Sequence, residues 1–108
     1  MNTTRVVSRT SRVRFGFARA DITPPVGIHH RLWGAAKHDR ATGVHKPLLA
    51  DVMAIGPVEG SSPQLLKVHT DLVNLTQSQH EEMVVALSEV SHLPSDRVLL
   101  SHSHTHAS

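Results

Sequence analysis

Three histidines, His102, His104 and His106, occupy alternate positions in the stretch LLSHSHTHAS from Leu99 to Ser108. Imidazole is the commonest protein metal ligand and titrates near neutral pH. Alternate residues of a β-strand point to one face, about 7 Å apart along the backbone. On a strand that runs straight to the end, these three side chains therefore converge closely enough to share an ion. Imidazole nitrogen suits zinc at roughly 2.0–2.1 Å, and a catalytic zinc takes about three protein ligands plus an open position for water. The cluster follows directly on the apolar run RVLL, Arg97 to Leu100, so a metal site is favoured over a solvated strand end. His69 and Asp71 in VHTDLV share a face at another strand end. There a carboxylate can orient a ligating histidine from behind, or serve a cap or turn near Thr76. His45 and Lys46 in TGVHKP can approach the same region from a loop. His80 and His92 read as ordinary surface positions on a helix and at its exit.

The elements that position these residues follow from the hydrophobic pattern. Val13 to Ala20 alternates, with Val13, Phe15 and Phe17 on one side, and predicts a strand. Pro24, Pro25 and Gly27 in DITPPVG stop it. Residues 28–47 have no sustained period and predict a long loop carrying His29, His30, His38 and His45, a length that is usually functional or disordered. A continuous apolar strand runs from Leu48, with Asp51 inside it, and PVEGSSP turns the chain. QLLKVHTDLVNL predicts a third strand ending between Asp71 and Leu75. Thr76 begins a helix, and Gln79 three residues on completes a capping box. Met83, Val84, Leu87 and Val90 form its apolar stripe, with Glu81, Glu82 and Glu89 facing water. HLPSD ends the helix, and a fourth strand is expected from Arg97 to His106. Strand, helix and strand at this spacing make a βαβ unit with parallel strands. The fold class is α/β, a partial sheet with a βαβ unit, and the histidines fall at a carboxyl strand end, where α/β sheets place their sites.

A chain of 108 residues forms at most one small domain. Its only aromatics are Phe15, Phe17 and Trp33, so the core must be mostly aliphatic, and the lack of cysteine excludes disulfides and thiolate metal sites. Arg5, Arg9, Arg12 and Arg14 precede the first acidic residue, Asp21. Such an arm can touch an anionic membrane peripherally or meet nucleic acid. It has no interleaved aromatics and no binding motif, so nucleic acid is set aside and residues 1–12 read as a disordered basic leader. The leader has no apolar segment of a secretory signal, and no apolar run approaches the ~20 residues that span a bilayer.

RADITPPVG, TGVHKPLLADVMAI, DLVNL and LPSDRVLLSHSHTHAS, in this order, resemble the start of the neutral/alkaline ceramidase family. The resemblance covers nearly the whole chain from Phe15 onward, and RADITP and the closing SHTH are its most specific pieces. It implies that residues 13–108 are the N-terminal fragment of a larger α/β zinc-hydrolase domain. The activity implied is zinc-dependent hydrolysis of the amide bond of N-acylsphingosine, a ceramide-like lipid amide, to sphingosine and fatty acid. The family's motif reads Thr-His-Thr-His-Ser-Gly-Pro. Its first histidine, a zinc ligand, falls on His104, and its second, a catalytic residue beside the metal, falls on His106. His102 stands where the family usually has a small residue, and Ala107 and Ser108 replace Ser-Gly. The family's remaining zinc ligands, a histidine, a glutamate and a tyrosine, lie far downstream, so the fragment alone is expected to be inactive. Two other readings of the same residues are another His-x-His metallohydrolase and a non-enzymatic α/β module that binds a metal or a partner.

Overall fold

A computed structural model describes residues 3–27, 40–60 and 62–106. Four strands and one helix follow one another as β1 (Val13–Asp21), β2 (Leu49–Pro57), β3 (Leu65–Thr70), α1 (Gln77–Ser91) and β4 (Val98–His102), with a short 3₁₀ turn over Ser95–Arg97 before β4. The sheet order is β1-β2-β3-β4. The first two pairings are antiparallel and the third is parallel. The expected βαβ unit is therefore present as β3-α1-β4, and the class is α/β with a mixed sheet. His29, His30 and His38 of the expected loop lie outside the described residues, and His45 sits in an exposed bend. Residues 3–12 carry no regular secondary structure and are exposed.

The register divides the strands into two faces. Val52, Ala54, Leu66, Val68, Val98 and Leu100 share one face, on which α1 lies through Val84 and Leu87. Leu66, Val68 and Val98 are its buried centre. Val13, Phe15, Phe17, Met53, Ile55, Leu65 and Leu99 line the opposite face. Among the described residues no element covers that side, and Phe15 and Phe17 remain 59% and 55% exposed.

Helix α1 starts as its sequence dictates. The Thr76 hydroxyl accepts from the Gln79 amide, and the Gln79 side chain accepts from the Thr76 amide. The stripe needs one correction, because Val90 is 82% exposed. Val90 points to solvent on the last helical turn, and the chain reverses at His92 in the left-handed region (φ 59°). That reversal brings Leu93 back onto the core in the place Val90 was expected to take.

Two strands are also shorter than their patterns suggest. β3 ends at Thr70, because the Asp71 amide donates to the Leu49 carbonyl and its carboxylate accepts from the Leu49 amide, both at 2.9 Å. This clamps the start of β2 and turns the chain out of the sheet. Asp71 thus takes the turn-forming role, and its carboxylate is engaged by Leu49 rather than by a histidine.

Candidate functional site

β4 ends at His102 rather than at His106. Beyond it the Ser103 amide still donates to the Thr70 carbonyl at 2.9 Å, but the His104 amide donates to Leu72, past the end of β3, at 3.0 Å. To reach it, His104 adopts φ 59°, and the strand geometry is lost. The three histidines therefore do not form a straight row on one face. The alternation in the sequence continues beyond the point where the partner strand leaves the sheet.

The curl places each imidazole differently. His102 is the last residue of β4, on the helix side, half-buried, with Nδ1 2.6 Å from the hydroxyl of Thr70. Thr70 is the most deeply buried side chain described, at 1% exposure. Burial, with the nearby His80 and His69 adding to it, holds the His102 imidazole below its ordinary pKa. His104 donates its Nδ1–H to the Val73 carbonyl at 2.6 Å. That bond fixes the tautomer and leaves the Nε2 lone pair free, the arrangement that usually stands behind a ligating histidine. The His106 ring lies edge-on to His104, with centroids 5.0 Å apart.

His80, in the first turn of α1, completes the picture and was not singled out by its spacing. Its ring meets His102 edge-on at 6.4 Å. Val73, Asn74, Leu75, Thr76, Gln77, His80, His102 and His104 together line an open cleft of about 470 Å³. Topology carried the missing signal. In a βαβ unit the first turn of the crossover helix stands at the carboxyl end of the strand before it, beside the carboxyl end of the parallel strand after it.

His69 faces the other way. In register across all four strands, Arg19, Asp51, His69 and Ser101 form a polar row on the uncovered face. Arg19 donates twice to the Asp51 carboxylate, at 2.6 and 2.9 Å, and His69 Nδ1 lies 2.9 Å from the Ser101 hydroxyl. The Arg19 hydrogen bonds hold Asp51 below the usual carboxylate range. His69 therefore stands apart from the closing cluster, paired with Ser101 on the uncovered face.

Among the described residues no three His, Asp or Glu side chains stand close enough to hold a metal ion together. The donor set fits zinc in part. His104 presents one preorganised nitrogen, and His106, with its ring centroid 5.0 Å away, stands beside it rather than completing a ligand set. No family model, no curated protein and no solved structure matches this chain.

Proposed function

We propose that this chain is the N-terminal part of a ceramidase-like zinc amidohydrolase that cleaves the amide of N-acylsphingosine. The observation that carries the zinc reading is the His104 side chain, with Nδ1–H committed to Val73 and Nε2 left free at a carboxyl strand end. The substrate class rests on the resemblance of RADITP, TGVHKPL and SHTH to that family. The uncovered sheet face supports a larger domain, because Val13, Phe15, Phe17 and Leu99 leave on it an apolar patch of the kind that further polypeptide or a partner ordinarily covers.

His104 is the zinc ligand in this reading, and the other ligands come from polypeptide that follows this region. Bound zinc would polarise the amide carbonyl and bring the pKa of a water to about 7. The Val73 carbonyl keeps His104 in the ligating tautomer. His106, in ring contact with His104, is placed to hydrogen-bond the water or the oxygen that gains charge during cleavage. The cleft wall of Val73 and Leu75 offers an apolar surface beside these groups.

Metal analysis and a fluorescent-ceramide assay on the polypeptide of the whole reading frame test this. His104→Ala should abolish zinc occupancy and turnover together. His106→Ala should keep most of the zinc and lose turnover. His102→Ala should leave the tightly bound zinc in place. Zinc that stays after His104→Ala and leaves after His102→Ala would overturn the assignment. Turnover of phosphate esters or lactams but not ceramide would favour another His-x-His metallohydrolase.

A further inference from the structure

We infer that His80 and His102 form a second site, for a divalent first-row transition ion, independent of His104 and of the amidase reading. Four observations converge on this pair. The rings come from different elements, α1 and β4, and meet across a cleft open to solvent. Two imidazoles bound to one ion have centroids roughly 5 Å apart at a tetrahedral angle and up to roughly 6.4 Å when opposed. The observed 6.4 Å lies at the open end of that range, and closing it by about 1 Å through the half-buried His80 side chain gives the tetrahedral spacing. Neither ring nitrogen of His80 is held by a hydrogen bond among the described residues, and His102 uses Nδ1 alone, on Thr70.

Thr70 makes this more than a chance meeting of two rings. When His102 Nδ1–H donates to the Thr70 hydroxyl oxygen, the Nε2 lone pair is left free. A buried hydroxyl that holds Nδ1 from behind orients the ring, the second-layer support ligating histidines commonly have. Two imidazoles with water in the remaining positions suit Cu²⁺, Ni²⁺ and Zn²⁺, with Cu²⁺ bound most tightly. Oxygen-seeking Mg²⁺ and Ca²⁺ have no carboxylate here to bind, since the cleft is lined by no Asp or Glu.

The test uses Cu²⁺ alone, titrated into the full polypeptide with His104→Ala, which removes the neighbouring ligand. Calorimetry gives the affinity, and electron paramagnetic resonance counts the coordinated nitrogens. One ion bound by two imidazole nitrogens is expected. His80→Gln should weaken binding at least tenfold and reduce the nitrogen count to one. Thr70→Val, nearly isosteric, should weaken it severalfold, while Thr70→Ser should retain it. His102→Gln should match His80→Gln. If its circular dichroism shows unfolding, His80→Gln at the helix surface decides the matter. Unchanged affinity in His80→Gln overturns the site and reduces the contact to ordinary ring packing. Because zinc retention at His104 is read separately in the otherwise unaltered protein, the two assignments fail independently.

Discussion

At Asp51 the carboxylate accepts both Arg19 hydrogen bonds while its neighbours along β2 are apolar. Its folded pKa is lowered, first by that hydrogen bonding. A depressed carboxylate stabilises the fold fully above its unfolded pKa of about 3.9, and the contribution disappears as pH falls through the lower folded value. Urea midpoints measured from neutral to strongly acid pH should therefore drop more steeply below about pH 4 for the native chain than for Asp51→Asn. Parallel curves would remove Asp51 from the acid response. Since Arg19 is more than half exposed and Asp51 partly so, added salt should shrink the difference. The sequence marks Asp51 as an anomaly inside an apolar strand, yet its partner lies 32 residues away and only strand register reveals it. The capping of Thr76 by Gln79 is legible because both ends of the interaction lie within one helical turn. The Thr70–His102 contact has no local signature, so His102 reads as an extra histidine until β3 and β4 are seen side by side.

Helix α1 lends itself to substitutions at the level of the element. Leu87 packs on Leu66, Val68 and Val98, so Leu87→Ala should cost about 2 kcal/mol, the low end for buried leucine because the position is only half-covered. Val90→Ala, at an exposed position of the last turn, should change stability by less than about 0.5 kcal/mol. Equal losses in urea unfolding would mean that the helix sits on the sheet in another rotation. Thr76→Ala removes one half of the capping box and should cost about 1 kcal/mol. The 3.6-residue period announced this helix, and its cap announced its start. What periodicity could not give was the end of β4. His-Ser-His-Thr-His keeps the two-residue alternation of a strand, but alternating polar residues carry no burial information. The chain leaves strand geometry where its neighbour β3 has already been turned away by the Asp71–Leu49 clamp.

For the whole molecule, the accessible surface is 8606 Å². A compact monomer of 108 residues would show roughly 5,900 Å². The difference includes the uncovered face with Val13, Phe15, Phe17 and Leu99, all more than half exposed. The isolated chain should therefore bind a hydrophobic dye such as ANS at neutral pH. Replacing Phe15 and Phe17 together by threonine should lower that fluorescence without altering the far-ultraviolet circular dichroism. Strong dye binding that persists in the double variant would locate the exposed apolar surface elsewhere. The strand order carries a different consequence, for the timing of assembly. Each strand pairs with the one made just before it, so no part of the sheet waits for a segment yet to leave the ribosome. The two nine-residue strands β1 and β2 can zip first as a hairpin, marginal alone, and β3 then gives them a third partner. β4 leaves the ribosome last of the four and can dock only once β3 and the crossover segment are already out. The histidine cleft needs both α1 and β4, so it can form only when the last strand of this region is in place, and a metal ion bound there would meet a nearly finished sheet rather than a nascent one.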